Sequence, residues 1–401
     1  RITTERAMIL ITARPSFVHG FGGHPIVSKL ALNRLGSDQT ADVLAKITNG
    51  KTLPAELVDE IIARTDGVPL FIEEMTKTIL DSGELRETAT AYELVGPLSR
   101  VTIPATLHDS LRARIDRLQP IKEVAQMAAC IGRRFERMAL EKIARVDEQA
   151  LDNALAQLEQ SELIFRRGAP PNASYVFKHA LVRDVAYESL LKRRRQEIHG
   201  RLVQVFEAEG AAPELIAHHA TKAGLADKAV ELWAEAGSQA QARPAYDEAV
   251  NHLKMSLKEV ASLLDDPAWR ERELALLVQL AQVYIAKEGY ASAEASEVFD
   301  KAMQRMAATE SAELRVAIYY GAWIAPYIGN RLHRAYETAN RLVDEMAGEV
   351  DPIPRLISRR MRAATLIAMG RSPEALEDLN TAYALYQEAE ITEFSTKFAQ
   401  D

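Results

Sequence analysis

Residues 7–12, Ala-Met-Ile-Leu-Ile-Thr, form an apolar run between charged neighbours and Arg14-Pro15. The run is too short for a buried helix and suits a strand covered on both faces, as in a parallel sheet. One strand makes no sheet, so its partners are expected upstream. The chain also opens on Arg1 rather than Met, and it reads as a piece of a longer polypeptide. From residue 37 the period turns helical. Ser37 predicts the N-cap of a helix carrying Val43, Leu44 and Ile47, stopped by Asn49-Gly50. Pro54 opens a second helix whose stripe is Leu57, Val58, Ile61 and Ile62. Gly67-Val68-Pro69 breaks it, and Phe71, Met75 and Ile79 mark a third helix that stops near Gly83.

Residues 104–191 change character. Helical patterns run from Leu107 to Leu118, Val124 to Ile131 and Met138 to Val146, and a fourth carries Leu151, Leu155 and Leu158. Leu163–Arg167, the turn cluster Gly168–Asn172 and Tyr175–Phe177 then predict strand, turn and strand. A helix with Leu181, Val185 and Leu190 closes the segment. Several short helices followed by a β-hairpin have the order of a winged helix.

Residues 200–401 carry almost no strand signal. Ala226-x-x-Ala229, Ala245-x-x-x-Ala249, Arg331-x-x-x-Ala335 and Arg371-x-x-x-Ala375 place small residues where paired helices cross. Gly329 and Gly370 each follow one helix and precede an Ala-containing one, about 40 residues apart. That is the signature of a helical-hairpin solenoid of tetratricopeptide (TPR) type, with a looser period than the usual ~34 residues. The expected fold class is therefore mainly α.

Composition narrows the function classes. The 401 residues are 47% hydrophobic and 26% charged, as in ordinary globular proteins. The single cysteine, Cys130, excludes a disulfide framework and any cysteine-built zinc site, and it fits a reducing compartment. No apolar run approaches a membrane-spanning length and no signal peptide is present, so no membrane partner and a cytoplasmic location are expected. The net charge of −8 falls wholly after residue 210, where 20 Lys and Arg face 29 Asp and Glu. Such a chain is a poor bulk binder of nucleic acid.

Candidate chemistry is sparse. Gly50-Lys51-Thr52 imitates the end of a phosphate-binding P-loop, but a helix precedes it and the upstream glycine is Ala45, so it reads as a helix C-terminus. The glycine-rich stretch His19–His24 lacks a lysine and reads as a loop. His218-His219 are adjacent, point about 100° apart on a helix and read as a polar edge, not a metal site. Cys130 lies in an apolar stripe and reads as core. The basic run Lys192–Arg195 could hold DNA phosphates; otherwise it is a solvated helix end that complements the helix dipole. No complete active site is visible.

Three motifs in order carry a resemblance. Met8–Pro15 resembles the sensor-1 strand of STAND-type AAA ATPases, the multidomain signalling NTPases. Gly67-Val68-Pro69-Leu70-Phe71-Ile72-Glu73-Glu74 is similar to the glycine-x-proline motif of their helical lid. Phe177-Lys178-His179 through Tyr187 resembles the histidine motif that ends their winged helix, with Ala180 where aspartate is usual. The tail, with Ala217-His218-His219-Ala220, is similar to TPR-like tails of bacterial proteins that fuse this ATPase to a class III adenylate or guanylate cyclase.

The resemblance implies a remnant of an AAA α/β core over residues 1–25, a helical lid over 26–95, a winged helix over 96–199 and TPR-like repeats over 200–401. It implies that Arg14 meets the γ-phosphate, that Pro69, set by the break at Gly67, packs against adenine, and that His179 reaches the β-phosphate of ADP. ATP or ADP with Mg²⁺ is implied for the full-length parent, with no tight binding to this piece, because the P-loop lysine and the acidic metal ligands would lie upstream. The implied partners are the upstream AAA core and an output domain in the same polypeptide, with a protein or small-molecule signal on the repeats. A DNA-binding winged-helix regulator and an autonomous repeat scaffold stay open beside this reading.

Overall fold

The computed structural model describes residues 8–13, 17, 27–97, 103–118, 121–144, 146–169 and 173–388. The chain divides into two compact units between Arg117 and Leu118. The expected strand at 7–12 is absent from the described part: residues 8–13 pair with no strand, and Met8 and Leu10 are more than four-fifths exposed. An extended backbone becomes a strand only where neighbours take its N–H and C=O groups, and among the described residues none lies beside it.

In the first unit, α1 (Ser37–Ile47), α2 (Ala55–Thr65) and α3 (Pro69–Leu80) pack Leu44, Leu57, Ile61, Ile72, Met75 and Ile79 into one core. Helix α1 starts one residue earlier than Ser37 predicts. Gly36 is the N-cap, and its N–H donates to Gln39 Oε1 at 3.0 Å. The two-stranded ribbon β1 (Leu85–Glu87) and β2 (Tyr92–Leu94) has no sequence signal; it is held through Thr52, whose N–H donates to Thr90 O and whose O accepts from Tyr92 N. Helix α4 (Leu107–Arg117) packs on α3. There Arg114 forms an ion pair with Glu74, both buried, and the Thr78 and Ser110 hydroxyls meet at 2.7 Å. These contacts place α4 with the first unit.

The second unit begins with α5 (Lys122–Ile131), β3 (Arg134–Glu136), α6 (Arg137–Ala144), α7 (Glu148–Gln160), β4 (Ile164–Arg167), β5 (Ser174–Phe177) and α8 (Ala180–Glu188). The strands form one antiparallel sheet of order β3-β5-β4. Register pairs Ile164 with Phe177 and Phe135 with Tyr175, so Phe135, Tyr175 and Phe177 turn inward and their rings meet at 5.6 Å. Buried Arg137 ties α6 to α7 through Glu148 and Asp152 and also pairs with Glu141 one turn along α6.

Among the described residues ten α-helices follow without a strand: α9 (Lys192–Ala208), α10 (Pro213–Ala223), α11 (Ala226–Ala242), α12 (Tyr246–Val260), α13 (Pro267–Glu288), α14 (Ala293–Arg305), α15 (Ala312–Ile328), α16 (Leu332–Glu345), α17 (Pro352–Ala368) and α18 (Ser372–Glu388). Each packs on the next, and α13, α15 and α17 also touch in turn, so they share one wall of the stack. This is a TPR-like array, and the molecule is mainly α. The alanines expected at the crossings, Ala229, Ala249, Ala335 and Ala375, are all buried.

Two glycines inside helices serve the same close approach. A Cβ on Gly237 would press on Leu253, and one on Gly321 would overlap the buried Phe299 ring. Gly321→Ala is expected to cost about 1–3 kcal/mol, the usual range for overpacking. Thermal unfolding checks this: the midpoint should fall by several degrees, and Phe299→Leu in the same background should restore part of it. An unchanged midpoint would show that the α14–α15 crossing is loose.

Candidate functional site

The Gly67-Val68-Pro69 break is a tight turn. Asp66 and Gly67 take left-handed backbone angles, φ 49° and 69°, which end α2. Leu35 N–H donates to Gly67 O at 2.9 Å, and a Cβ on Gly67 would run into the Leu35 carbonyl. Glycine is therefore required by both conformation and space. Val68 caps α3, and Pro69 takes its first helical position, where the missing N–H costs nothing. The Pro69 ring is exposed. The turn thus presents a flat apolar ring with no donor, held rigidly at the start of a helix.

His179 lies in the second unit, as the N-cap of α8 directly after β5. Its carbonyl accepts from Val182 N–H at 3.2 Å, and its ring is half-buried. Arg14 and the stretch His19–His24 lie outside the described residues. Gly67 and Pro69 therefore share one turn, and His179 stands at a separate helix start.

Gly50-Lys51-Thr52 is the C-terminus of α1, with Gly50 at φ 83°. Lys51 pairs with Glu87 and lies over the Tyr92 ring at 5.8 Å. The lysine is thus held by local partners, as a helix end predicts. The basic run departs from its expectation. Lys192–Arg195 form the first turn of α9, not the last, so their charge opposes the helix dipole. The side chains are partnered nearby: Arg193 and Arg194 with Glu197, and Arg195 over the Tyr187 ring at 5.1 Å. That local pairing argues against a row of cations reserved for DNA phosphates.

A buried polar cluster joins α8, α9 and α10. Tyr187 Oη lies 3.1 Å from His199 Nε2, and His199 Nδ1 lies 2.8 Å from His219 Nδ1. His199 and His219 are 1% and 0% exposed. Phe206 stacks on His219 at 5.3 Å, His218 meets it edge-on, and Arg183 lies over the Tyr187 ring at 5.1 Å. Burial pushes His199 down to about 3 and His219 down to about 4, with neighbouring His218 adding to both shifts. Both rings are therefore neutral near pH 7. Two facing Nδ1 atoms share one proton, so one ring donates to the other. Either arrangement leaves His219 Nε2 buried without a hydrogen bond.

The adjacent histidines are thus not one polar edge. His219 points inward, on the stripe of Ile216, Ala217 and Ala220. The signal was available, since position 219 follows Ile216 by three. Its partner, His199, is 20 residues away and could not be read locally. Among the described residues no group of three or more histidine, cysteine or acidic side chains is arranged to hold a metal ion. Cys130 is buried, and burial pushes its thiol up to about 12, so it is inert packing.

No protein-family model matches the chain. An uncharacterized protein of Rhizobium meliloti (strain 1021) is 28% identical over 411 residues, covering 99% of this chain and 39% of that protein. The chain thus spans about two fifths of the length of its curated relative. Among solved structures, a Podospora anserina kinesin light chain with nearly identical TPR-like repeats covers 50% of this chain and 99% of its own, at 21% identity and a TM-score of 0.34. A Pyrococcus horikoshii STAND protein (signal transduction ATPase with numerous domains) with a tetratricopeptide-repeat sensor covers 92% of this chain and 57% of its own. Its identity is 13% and its TM-score 0.32. Scores of this size do not equate folds; the repeat array rests on the helix pairing described above.

Proposed function

We propose that this chain is the switch and sensor portion of a STAND-type signalling ATPase, in which the TPR-like array receives a protein or small-molecule signal. The array supplies the extended surface that repeat proteins use for binding. The observation that carries the nucleotide part is the Gly67–Pro69 turn. A buried glycine that no other residue can replace sets an exposed proline ring at a helix start, which suits a wall against adenine. His179 at the start of α8 would supply the second contact, to the β-phosphate, and Arg14 a third, to the γ-phosphate. The triphosphate cradle and Mg²⁺ ligands would come from outside these residues, since Gly50-Lys51-Thr52 is a helix end. Signal binding would favour the state in which these contacts are broken, shifting a closed–open equilibrium. A cyclase as the output domain, and a three-stranded winged helix around β3-β5-β4, belong to the same proposal.

The test is nucleotide retention in the full-length protein. Pro69→Ala and His179→Ala should each lower the fraction of co-purifying ADP about tenfold, equivalent to about 1.4 kcal/mol per lost contact. Helical circular dichroism should stay unchanged. Wild-type retention in both variants would remove the nucleotide role and leave the repeat array as a scaffold.

A further inference from the structure

Helices α14 and α16 bury the same pattern of residues. Ala295, Phe299 and Ala302 of α14 answer to Ala335, Ala339 and Leu342 of α16, one for one. The next step of the array repeats the match, with Ala335 against Ala375 of α18. This register sets Ser296 of α14 against Tyr336 of α16, and Arg331 and Arg334 against Arg371 and Glu374. On α12, which buries Ala249, Leu253 and Ser256 in the same order, the position of Ser296 is held by Val250. Both neighbouring helices thus carry a bulkier side chain where α14 carries serine.

Between α16 and α18 this position is filled. Tyr336 packs on Ala363, Leu366 and Ala375, and the Arg371 guanidinium lies over its ring at 5.0 Å. Arg371 Nε donates to Glu374 Oε1 at 2.7 Å. One arginine there holds an aromatic face and a carboxylate together. Between α14 and α16 both of those partners are replaced, the tyrosine by Ser296 and the glutamate by Arg334. A hollow of about 670 Å³ opens at that place, bordered by Ser296, Glu297, Asp300, Lys301, Arg331 and Arg334. Arg334 pairs with Asp300 at 3.1 Å. Among the described residues Glu297, Lys301 and Arg331 form no ion pair, and three cations against two carboxylates leave the hollow positive.

We propose that this hollow receives a peptide in which a tyrosine is followed, two residues later, by a glutamate or aspartate. The ring takes the place that Tyr336 holds one step further along the array, stacked on the Arg331 guanidinium, and the carboxylate takes the place of Glu374. In an extended segment residues i and i+2 share a face, so both groups reach one arginine. A peptide fits better than a lone aromatic acid, because the hollow follows α14 from Ala293 to Gln304, about 16 Å at 1.5 Å per residue. About five extended residues cover that length. The chain beyond residue 210 is negative, so an acidic peptide is repelled from most of the array and held where the local charge is positive. The inference rests on the proposed signal-receiving role of the array, and it gives that role a place and a chemistry.

Ligand-observed magnetic resonance on the whole chain tests this, with the acetylated and amidated hexapeptide Ala-Gln-Tyr-Gln-Glu-Ala as probe. The tyrosine ring protons should receive saturation from the protein, and titration should show one saturable site. Ser296→Tyr and Arg334→Glu each copy the next step of the array into this one, the first filling the hollow and the second pairing with Arg331. Each should weaken binding about tenfold or more, as for a central contact, with unchanged circular dichroism. Replacing the probe's tyrosine by alanine, or its glutamate by glutamine, should do the same. Arg193→Glu, on the exposed first turn of α9, should change nothing. Absence of saturable binding, binding that Ser296→Tyr leaves intact, or an equal loss with Arg193→Glu overturns the proposal. So does binding of free hydroxyphenylacetate without binding of the peptide. The readout is direct, so a failure here strikes this site alone; the sensing role of the array and the nucleotide contacts of Pro69 and His179 stand or fall by the retention test.

Discussion

Replacing Arg114 by methionine should destabilise the first unit by about 3–5 kcal/mol, the cost of leaving one member of a buried ion pair alone. Glu74 and Arg114 are 1% and 7% exposed, so neither charge can reach water when its partner goes. The pair stands where α4 crosses α3, and the Thr78–Ser110 hydroxyl contact and the Arg117 bond to Thr78 O at 2.9 Å lie beside it. The loss should therefore be local to α3 and α4. Amide hydrogen exchange reads it directly: protection in both helices should fall about 10²- to 10³-fold, at about 1.4 kcal/mol per factor of ten. The double variant Glu74→Leu/Arg114→Met should recover most of the loss, because two apolar side chains carry no desolvation penalty. Unchanged protection in the single variant, or a double variant worse than either single, would show that the pair does not hold the two helices together.

The same pair shows how far local patterns reach. The cores of α2 and α3 follow from Leu57, Ile61, Met75 and Ile79 alone, because helical spacing is set within a few residues. Pro69 at the first position of α3 and the alanines at the helix crossings were legible for the same reason. Nothing near Glu74 in the sequence marks it as half of a buried ion pair, since its partner lies 40 residues away. The strands β1 and β2, Leu-Arg-Glu and Tyr-Glu-Leu, are three residues each, too short for a period; Leu85 and Leu94 pair and pack on the core of the first unit, and Thr52 lends the ribbon its backbone. Strand β3 shows one inward residue, Phe135, too few for a period. Gly237 and Gly321 would read as breakers, yet they lie inside helices because a neighbouring side chain needs the space. In the candidate nucleotide turn, the residue types were legible from sequence; the Leu35 backbone that makes glycine obligatory was not.

Lowering the pH from 7 to 5 should destabilise the second unit by about 4 kcal/mol through His199 and His219 alone, at ~1.36 kcal/mol per pH unit below an unfolded value near 6.5 for each ring. Above that value both rings are neutral in both states, and nothing is lost. Below it the unfolded chain binds two protons that the folded chain refuses, because a charged imidazole at either site is cut off from water and faces its twin at 2.8 Å. Arg183, Lys222 and His218 nearby add to the refusal. Stability therefore falls as the pH drops, and the loss levels off only near pH 3–4, where the folded sites also take up protons. Urea unfolding followed by tryptophan fluorescence should show a lower midpoint at pH 5 than at pH 7; Trp233, which donates to Thr221 Oγ1 at 3.0 Å on α10, reports from next to the site. His219→Leu should remove about half of this dependence. The direct check is magnetic resonance: the ring protons of both histidines should hold their shifts from pH 7.5 to 5. A titration near 6.5 at either ring would mean that water reaches the α9–α10 junction, and the acid sensitivity would then have to come from elsewhere.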